Sequence, residues 1–361
     1  MRIGVPKETK NRETRVALTP EGAAALTAAG HEVAIEAAAG AAAFLPDEDY
    51  VAAGATIVGT EDAWARDLVL KVKEPVPAEY PLLRDNVLFT FLHLAANEPL
   101  ARALVDARTT AISYDTVQLE DGSLPLLTPM SVIAGRLAAT EGAHHLLSPQ
   151  GGRGVLLAGA PGVPGARVVV IGGGVAGSAA LAQVVAMGAD AVVLDLDERR
   201  LAALQEQHGD RVRTVVSTPE AVEREALEAD LVVGAVLVPG RRAPKVVNHA
   251  TVGRMKPGSV LVDIAIDQGG CFEDSRATTH DDPVYRVANS TLYCVANMPG
   301  AVGATATAAL THVTFPYVEA LAAGAHQALA ADPALARGVN VDAGTVRYPA
   351  VAQAFPHLPA L

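Results

Sequence analysis

The sequence predicts an α/β protein of two Rossmann-like domains with parallel sheets and a cleft between them, the second domain inserted in the first. Three observations predict it. First, Arg167 to Asp195 (RVVVIGGGVAGSAALAQVVAMGADAVVLD) passes from a β-branched run through a glycine turn and a helix-length apolar segment to a second strand. Second, the region before it repeats the helix-Gly-strand ending, AAGHEVAI beside MGADAVVL, without the glycine fingerprint. Third, the tail from about Thr305 is alanine-rich and helical, so it adds no strand to the second sheet and returns to the first domain.

In chain order, Arg2 to Val5 reads as a strand and KETKNRETR as a polar loop of mixed charge. Thr19-Pro20-Glu21 starts a helix as N-cap, first-turn proline and first-turn acid, and Gly30 stops it. His31 to Ile35 follow as a strand, and Asp67 to Val72 and Val87 to Leu94 as buried strands that end in polar residues. Thr128, or Ser131, caps a long helix running toward Leu147, which makes a crossover into the second domain. Residues 149–166 form a glycine-rich loop; after Asp195, Asp230 to Val236 and Ser259 to Ile264 continue the parallel sheet. The partition is 1–128 plus 305–361 for one domain and 129–304 for the other.

The central stretch carries the most specific chemistry. In G-x-G-x-x-G, Gly172 permits the tight turn, Gly174 lets the backbone approach a pyrophosphate, and Gly177 lets the helix from Val175 to about Met187 lie close to its strand. The first helical amides, of Val175, Ala176 and Gly177, face the phosphates at the positive end of the helix dipole. Asp195, 18 residues beyond Gly177, accepts hydrogen bonds from an adenosine ribose and repels a 2′-phosphate, which favours NAD over NADP. Arg199 and Arg200 beside it read either as a solvated helix start or as a route to some NADP use.

Composition bounds the rest. The 361 residues suffice for two domains with separate cores, and with 50% hydrophobic but only 4% aromatic residues the packing rests on Ala, Val and Leu. A formal charge of −12 argues against a nucleic-acid partner. Cys271 and Cys294 are too few for a disulfide framework and fit a reducing cytoplasm, and neither has a neighbour at metal-ligand spacing. The charged N-terminus is no signal peptide, and the uncharged run Val168 to Ala189 is a strand-turn-helix unit rather than a membrane span.

Four residues remain as candidates for a reaction: Arg15 in the polar loop, Lys73 and His93 at strand ends, and Asp267 in VDIAIDQGG. Ligands of open α/β sheets gather at carboxyl ends of strands. Each residue also has a plain alternative: a solvated arginine, a surface lysine, a satisfied structural histidine, a turn aspartate bonded to backbone. Composition and spacing therefore reach an NAD-binding α/β oxidoreductase and stop there.

Resemblance extends further. GVPKETKNRETRVALTP, LVLKVKEP, LFTFLHLA, LPLLTPMS, QGGRGVLL, DLVVGAVLVPG, MKPGSVLVDIAIDQGGCFEDSRATTH and YCVANMPGAV closely resemble the alanine dehydrogenase and pyridine nucleotide transhydrogenase family, on its alanine dehydrogenase side, to about residue 320. The resemblance implies reversible oxidative deamination of L-alanine by NAD to pyruvate and ammonium, in a homo-oligomer, typically a hexamer. Carried over residue by residue, it implies that Arg15 binds the substrate carboxylate, Lys73 contacts a substrate oxygen, His93 is the general acid/base and Asp267 the second catalytic residue. Ser131, Asp195, Arg200, Ser217, the Val236-Leu237 turn and Asn297-Met298 would line the cofactor, and no metal site transfers. These roles require the domains to face each other across a cleft that closes. Two alternatives stand beside this reading: a dehydrogenase of another small 2-amino or 2-oxo acid, such as glyoxylate, and a non-catalytic NAD-binding module. Two departures from the family pattern occur. Gly303 and Ala304 replace a proline and a base, and Asp115 replaces a glutamate, a shortening that would slightly shift a neighbouring base or bound cation.

Overall fold

The computed structural model describes residues 1–236 and 243–360. It divides into two compact units, Met1–Met130 with Gly300–Leu361, and Ser131–Pro299. The first unit holds strands β1 (Arg2–Val5), β2 (Glu32–Glu36), β3 (Thr56–Val58), β4 (Leu68–Leu70), β5 (Val87–Thr90) and β6 (Thr110–Ser113). The second holds β7 (Arg167–Ile171), β8 (Asp190–Asp195), β9 (Val212–Val216), β10 (Leu231–Gly234), β11 (Val260–Asp263), β12 (Val284–Val287) and β13 (Ser290–Tyr293). The first unit is completed by β14 (Val339–Asp342) and β15 (Thr345–Val346).

The two sheets run β15-β14-β6-β5-β4-β1-β2-β3 and β12-β13-β11-β10-β7-β8-β9. Both are doubly wound and parallel through the middle. In each, the strand order reverses beside the first strand, between β1 and β4 and between β7 and β10. Antiparallel pairing is confined to one edge of each sheet, at β12 with β13 and at β14 with β6 and β15. These edge strands flank sheets that are otherwise parallel, as expected. The β14–β15 hairpin turns on Ala343 and Gly344, both with positive φ (48° and 86°), as a two-residue hairpin turn demands. The alanine-rich composition of the tail hides this short strand behind the helix Gly303–Ala323.

Local signals explain most elements. Thr19 caps the helix Pro20–Ala28 by accepting from the Gly22 amide. The apolar run of β7 alternates between faces: Val168 and Val170 pack into one core with Leu181 and Val193, while Val169 and Ile171 join the other with Val192 and Phe272. That two-sided burial is why the strand reads as continuous valine and isoleucine. Val168 to Ala189 is thus a buried strand, turn and helix, and among the described residues no helix is long and apolar enough to cross a membrane. β5 is shorter than the expected Val87–Leu94. His93 adopts a left-handed backbone (φ 46°, ψ 40°), which ends extended structure and starts the short turn Leu94–Ala96.

Candidate active site

The first centre lies at the carboxyl edge of the first sheet. Arg15, Lys73, His93 and Asp115 follow β1, β4, β5 and β6, four neighbouring parallel strands that span the point where strand order reverses. Hydrogen bonds clip the connections together. The amide of Val72, after β4, donates to Glu8 Oε1 at 2.6 Å, Thr9 donates to Glu79 at 3.1 Å, and Lys10 pairs with Glu74. The fully buried Lys71 sits 3.1 Å from Glu8 and 3.2 Å from Glu79 and fastens the loop after β1 to the connection after β4. Burial drives the Glu8 carboxyl above its ordinary value, with Lys71 opposing; burial works against the Lys71 charge, yet the two carboxylates hold its pKa up.

Arg15 is 3% exposed, and its guanidinium is held by the buried Glu13, with Nε 2.7 Å from Oε1 and Nη2 paired to Oε2; Nη1 lies 3.1 Å from Met130 Sδ. Lys73, 7% exposed, differs from Lys71: its ammonium has no hydrogen-bond or ion-pair partner among the described residues. A buried, unpaired ammonium is costly unless a ligand supplies the counter-charge. His93 is partly exposed and places Nδ1 3.2 Å from Asp115 Oδ2. Burial pushes the Asp115 carboxyl up, but His93, the Ser113 hydroxyl and the Leu92 amide outweigh it and hold the group well below the ordinary carboxylate range. Asp115 as partner of His93, and Glu13 as partner of Arg15, are not evident from motif reading. The signal for Asp115 is register: Thr90 of β5 pairs with Ser113 of β6, so the residues just beyond them meet. The modest TAIS pattern of β6 conceals that pairing.

The second centre is at the reversal point of the second sheet. A Cβ at Gly172 (φ 98°) would lie 2.6 Å from the Ala235 carbonyl, and one at Gly177 only 1.7 Å from the Gly172 carbonyl. At Gly174 a Cβ would meet no described atom within 4 Å. Two of the glycines are therefore demanded by the protein's own packing. The third is not; its lack of a side chain opens a cradle, which fits a pyrophosphate against the backbone. The helix Val175–Ala186 begins there without a side-chain cap among the described residues, so the amides of Val175, Ala176 and Gly177 are donors for an anion.

Asp195, 8% exposed, accepts from the Gly173 amide at 2.6 Å and the Asp197 amide at 2.9 Å, and pairs with Arg200 at 3.1 Å. Burial raises its pKa, but these donors outweigh that and lower it, keeping the carboxylate ionised. The Arg199 side chain is 98% exposed, as a solvated helix start requires. Ser217 follows β9 and donates its amide to the Asp195 carbonyl at 2.9 Å. Val236 is half-buried after β10; Leu237 lies outside the described residues.

Asp267 stands exposed in the turn Ile264–Gln268, without a hydrogen-bond partner among the described residues. The backbone-bonding role belongs instead to Asp263, which accepts from the amides of Ala265 and Cys271. Ser131 is half-buried on the helix Thr128–His145. Asn297 has a left-handed φ of 68° and its carbonyl lies 3.1 Å from His280 Nε2, whereas Met298 is packed in the core of the second unit. Among the described residues no group of three His, Cys, Asp or Glu is placed to hold a metal.

The two centres are thus a helix start with open backbone amides beside Gly174 in one unit, and an arginine, a lysine and a histidine-carboxylate pair at strand ends in the other. Comparisons with known proteins bear on both. Residues 4–134 match the model of the alanine dehydrogenase/PNT N-terminal domain, and residues 138–349 match that of the C-terminal domain. The chain belongs to the alanine dehydrogenase/PNT family. It is 53% identical over 357 residues to an alanine dehydrogenase of Mycolicibacterium smegmatis, covering 98% of this chain and 96% of that one. A solved L-alanine dehydrogenase superposes with a TM-score of 0.95 at 51% identity, covering 99% of both chains. A transhydrogenase structure from Sinorhizobium meliloti, 26% identical, superposes with a TM-score of 0.80 over 97% of this chain and all of that one. As a family member the chain is expected to use a pyridine nucleotide, which the Gly174 cradle and Asp195 fit.

Proposed function

We propose that the protein catalyses the NAD-dependent, reversible oxidative deamination of L-alanine to pyruvate and ammonium, with the first unit as substrate domain and the second as nucleotide domain. The observation that carries the reading is the set Arg15, Lys73 and His93 at the carboxyl ends of neighbouring parallel strands, in a chain about half identical to alanine dehydrogenases along its whole length. Asp195 supports NAD over NADP, because its ionised, buried carboxylate suits a ribose hydroxyl and repels a 2′-phosphate.

In this reading the Arg15 guanidinium, oriented by Glu13, binds the substrate carboxylate. The Lys73 ammonium, unpaired among the described residues, stabilises the oxygen that develops on the substrate α-carbon. His93 takes a proton from the water that attacks the iminium carbon and returns one as ammonia leaves. Asp267, exposed in its turn, holds that water or the departing amine. The oxidised nicotinamide, when bound, supplies the hydride acceptor. Val175, Ala176, Gly177, Asp195, Arg200, Ser217, Ser131 and Asn297 are proposed to position the nucleotide, Met298 through its backbone alone. We further propose a cytoplasmic homo-oligomer.

The test is absorbance at the NADH band with purified protein, L-alanine and NAD at alkaline pH, repeated with NADP and with a panel of amino acids and glyoxylate. Growth with alanine and NAD above all other combinations is the expected result. A flat trace from protein that still binds NAD overturns the reading in favour of a binding module.

A further inference from the structure

We propose that Asp115 and Ser113 are positioning residues that fix the His93 imidazole with its proton on Nδ1, so that exchange with substrate runs through Nε2; this rests on the acid/base reading of His93 given above. A carboxylate only accepts, so the ring nitrogen that faces Asp115 Oδ2 at 3.2 Å must carry hydrogen. Asp115 is itself braced. The Ser113 hydroxyl donates to its other oxygen, Oδ1, and accepts from the Leu92 amide at 3.0 Å, an amide that also lies 3.4 Å from Oδ1. With the serine's single proton and a lone pair both committed, the carboxylate has no free rotation. It belongs to the connection after β6, while the histidine follows β5, so the brace joins two strand ends rather than one loop to itself.

The ring is held in two further ways. His93 stacks on Phe91, with centroids 5.8 Å apart and planes 8° from parallel, and Phe91 is itself packed edge-on against Tyr114 at 5.0 Å. The left-handed backbone of His93 restricts how its side chain leaves the chain. A residue used only to fill space needs neither a strained backbone nor a braced carboxylate. Ser113 holds the short aspartate arm against the ring.

Charged neighbours set the expected titration. Asp115 faces the ring from the β6 connection. Tyr348, in the C-terminal segment, is close enough that, after burial, the charge of Asp115 is the further cause raising its hydroxyl pKa. The carboxylate favours the imidazolium over the neutral ring. Removing the charge at Asp115 weakens that preference.

The experiment uses the full chain with ¹⁵N-labelled histidine and bound NAD. Two-bond ¹H–¹⁵N spectra are recorded across pH, the His93 signals being assigned by their loss in His93→Gln, and kcat/KM for alanine is profiled over the same range. In the native chain the neutral ring is expected to carry hydrogen on Nδ1. Asp115→Asn is expected to release that tautomer, lower the titration midpoint by about one unit, reduce kcat about 100-fold, and shift the acid limb of kcat/KM downward without changing NAD affinity. Asp115→Glu restores the tautomer and most of the rate, and Ser113→Ala gives an intermediate spectrum. An unchanged tautomer and midpoint in Asp115→Asn, or a native spectrum in Ser113→Ala should the asparagine variant not fold, overturns the proposal. A released tautomer with an unmoved rate profile supports the positioning and overturns instead the acid/base reading of His93.

Discussion

The two units share the doubly wound order of their six parallel strands, β6-β5-β4-β1-β2-β3 beside β13-β11-β10-β7-β8-β9, and differ sharply in the connection that leaves the first strand. In the second unit β7 is followed by Gly172–Gly174 and then directly by a helix, which delivers uncapped backbone amides to the point where strand order reverses. In the first unit β1 is followed by the long polar segment Pro6–Thr19 before its helix begins, and the same point is occupied by charged side chains: Glu8, Lys10, Glu13 and Arg15. On the reading proposed above, one strand order hosts two kinds of anion recognition. The backbone version is indifferent to most side chains but intolerant of a Cβ; the side-chain version is the reverse.

That contrast can be broken or sharpened by substitution. The largest effect is expected at the side-chain centre. Lys73→Ala and His93→Ala each reduce turnover by about 10²–10⁴-fold while NAD affinity, followed by quenching of protein fluorescence, stays near native. A parallel loss of NAD affinity would break the separation of the two recognition modes. Lys71→Met comes next. It strands Glu8 and Glu79 in the interior without a counter-charge and is expected to cost about 3–5 kcal/mol in urea unfolding, whereas a loss under 1 kcal/mol would remove that lysine as the fastener of the loop after β1.

The glycines give a paired test within the backbone centre. Gly177→Ala forces a Cβ against the Gly172 carbonyl and should destabilise by about 1–3 kcal/mol in the same assay. Gly174→Ala meets no described atom, so its melting temperature should be unchanged while NAD affinity falls. Equal stability losses in both would contradict the assignment of the first to packing and the second to ligand. The smallest effect is at the ribose end. Asp195→Asn removes the charge that repels a 2′-phosphate, and the NAD over NADP preference should narrow about tenfold, equivalent to roughly 1.4 kcal/mol. An unaltered ratio of the two dissociation constants, read by isothermal titration, would transfer that preference to another group.

The same contrast decides what was legible. A backbone site needs contiguous residues, because a turn and a helix start are local; Gly172, Gly174, Gly177 and Asp195 are therefore visible as a spaced motif with strand before and helix after. The capped helix at Thr19 and the buried strands β7 and β10 are likewise written in short-range pattern. A side-chain site is assembled from the ends of four strands. Arg15, Lys73 and His93 stand out only as polar residues at strand ends, and it is resemblance to a family that singles them from other charged residues.

The partners of those residues came from tertiary structure alone. Which lysine of KVKEP is locked and which is available was decided by Glu8 and Glu79 closing on Lys71 and leaving Lys73 without a partner among the described residues. Which aspartate of VDIAIDQGG serves the backbone was decided by the turn that aims Asp263 at the Cys271 amide and leaves Asp267 exposed. That Asp115 faces His93 was decided by the β5–β6 register, which brings together residues far apart in the chain. Local sequence determines what each segment becomes, because caps, turns and apolar periodicity act over a few residues. Long-range pairing determines which charges meet, because two groups interact strongly only when the fold buries them within hydrogen-bond reach of each other.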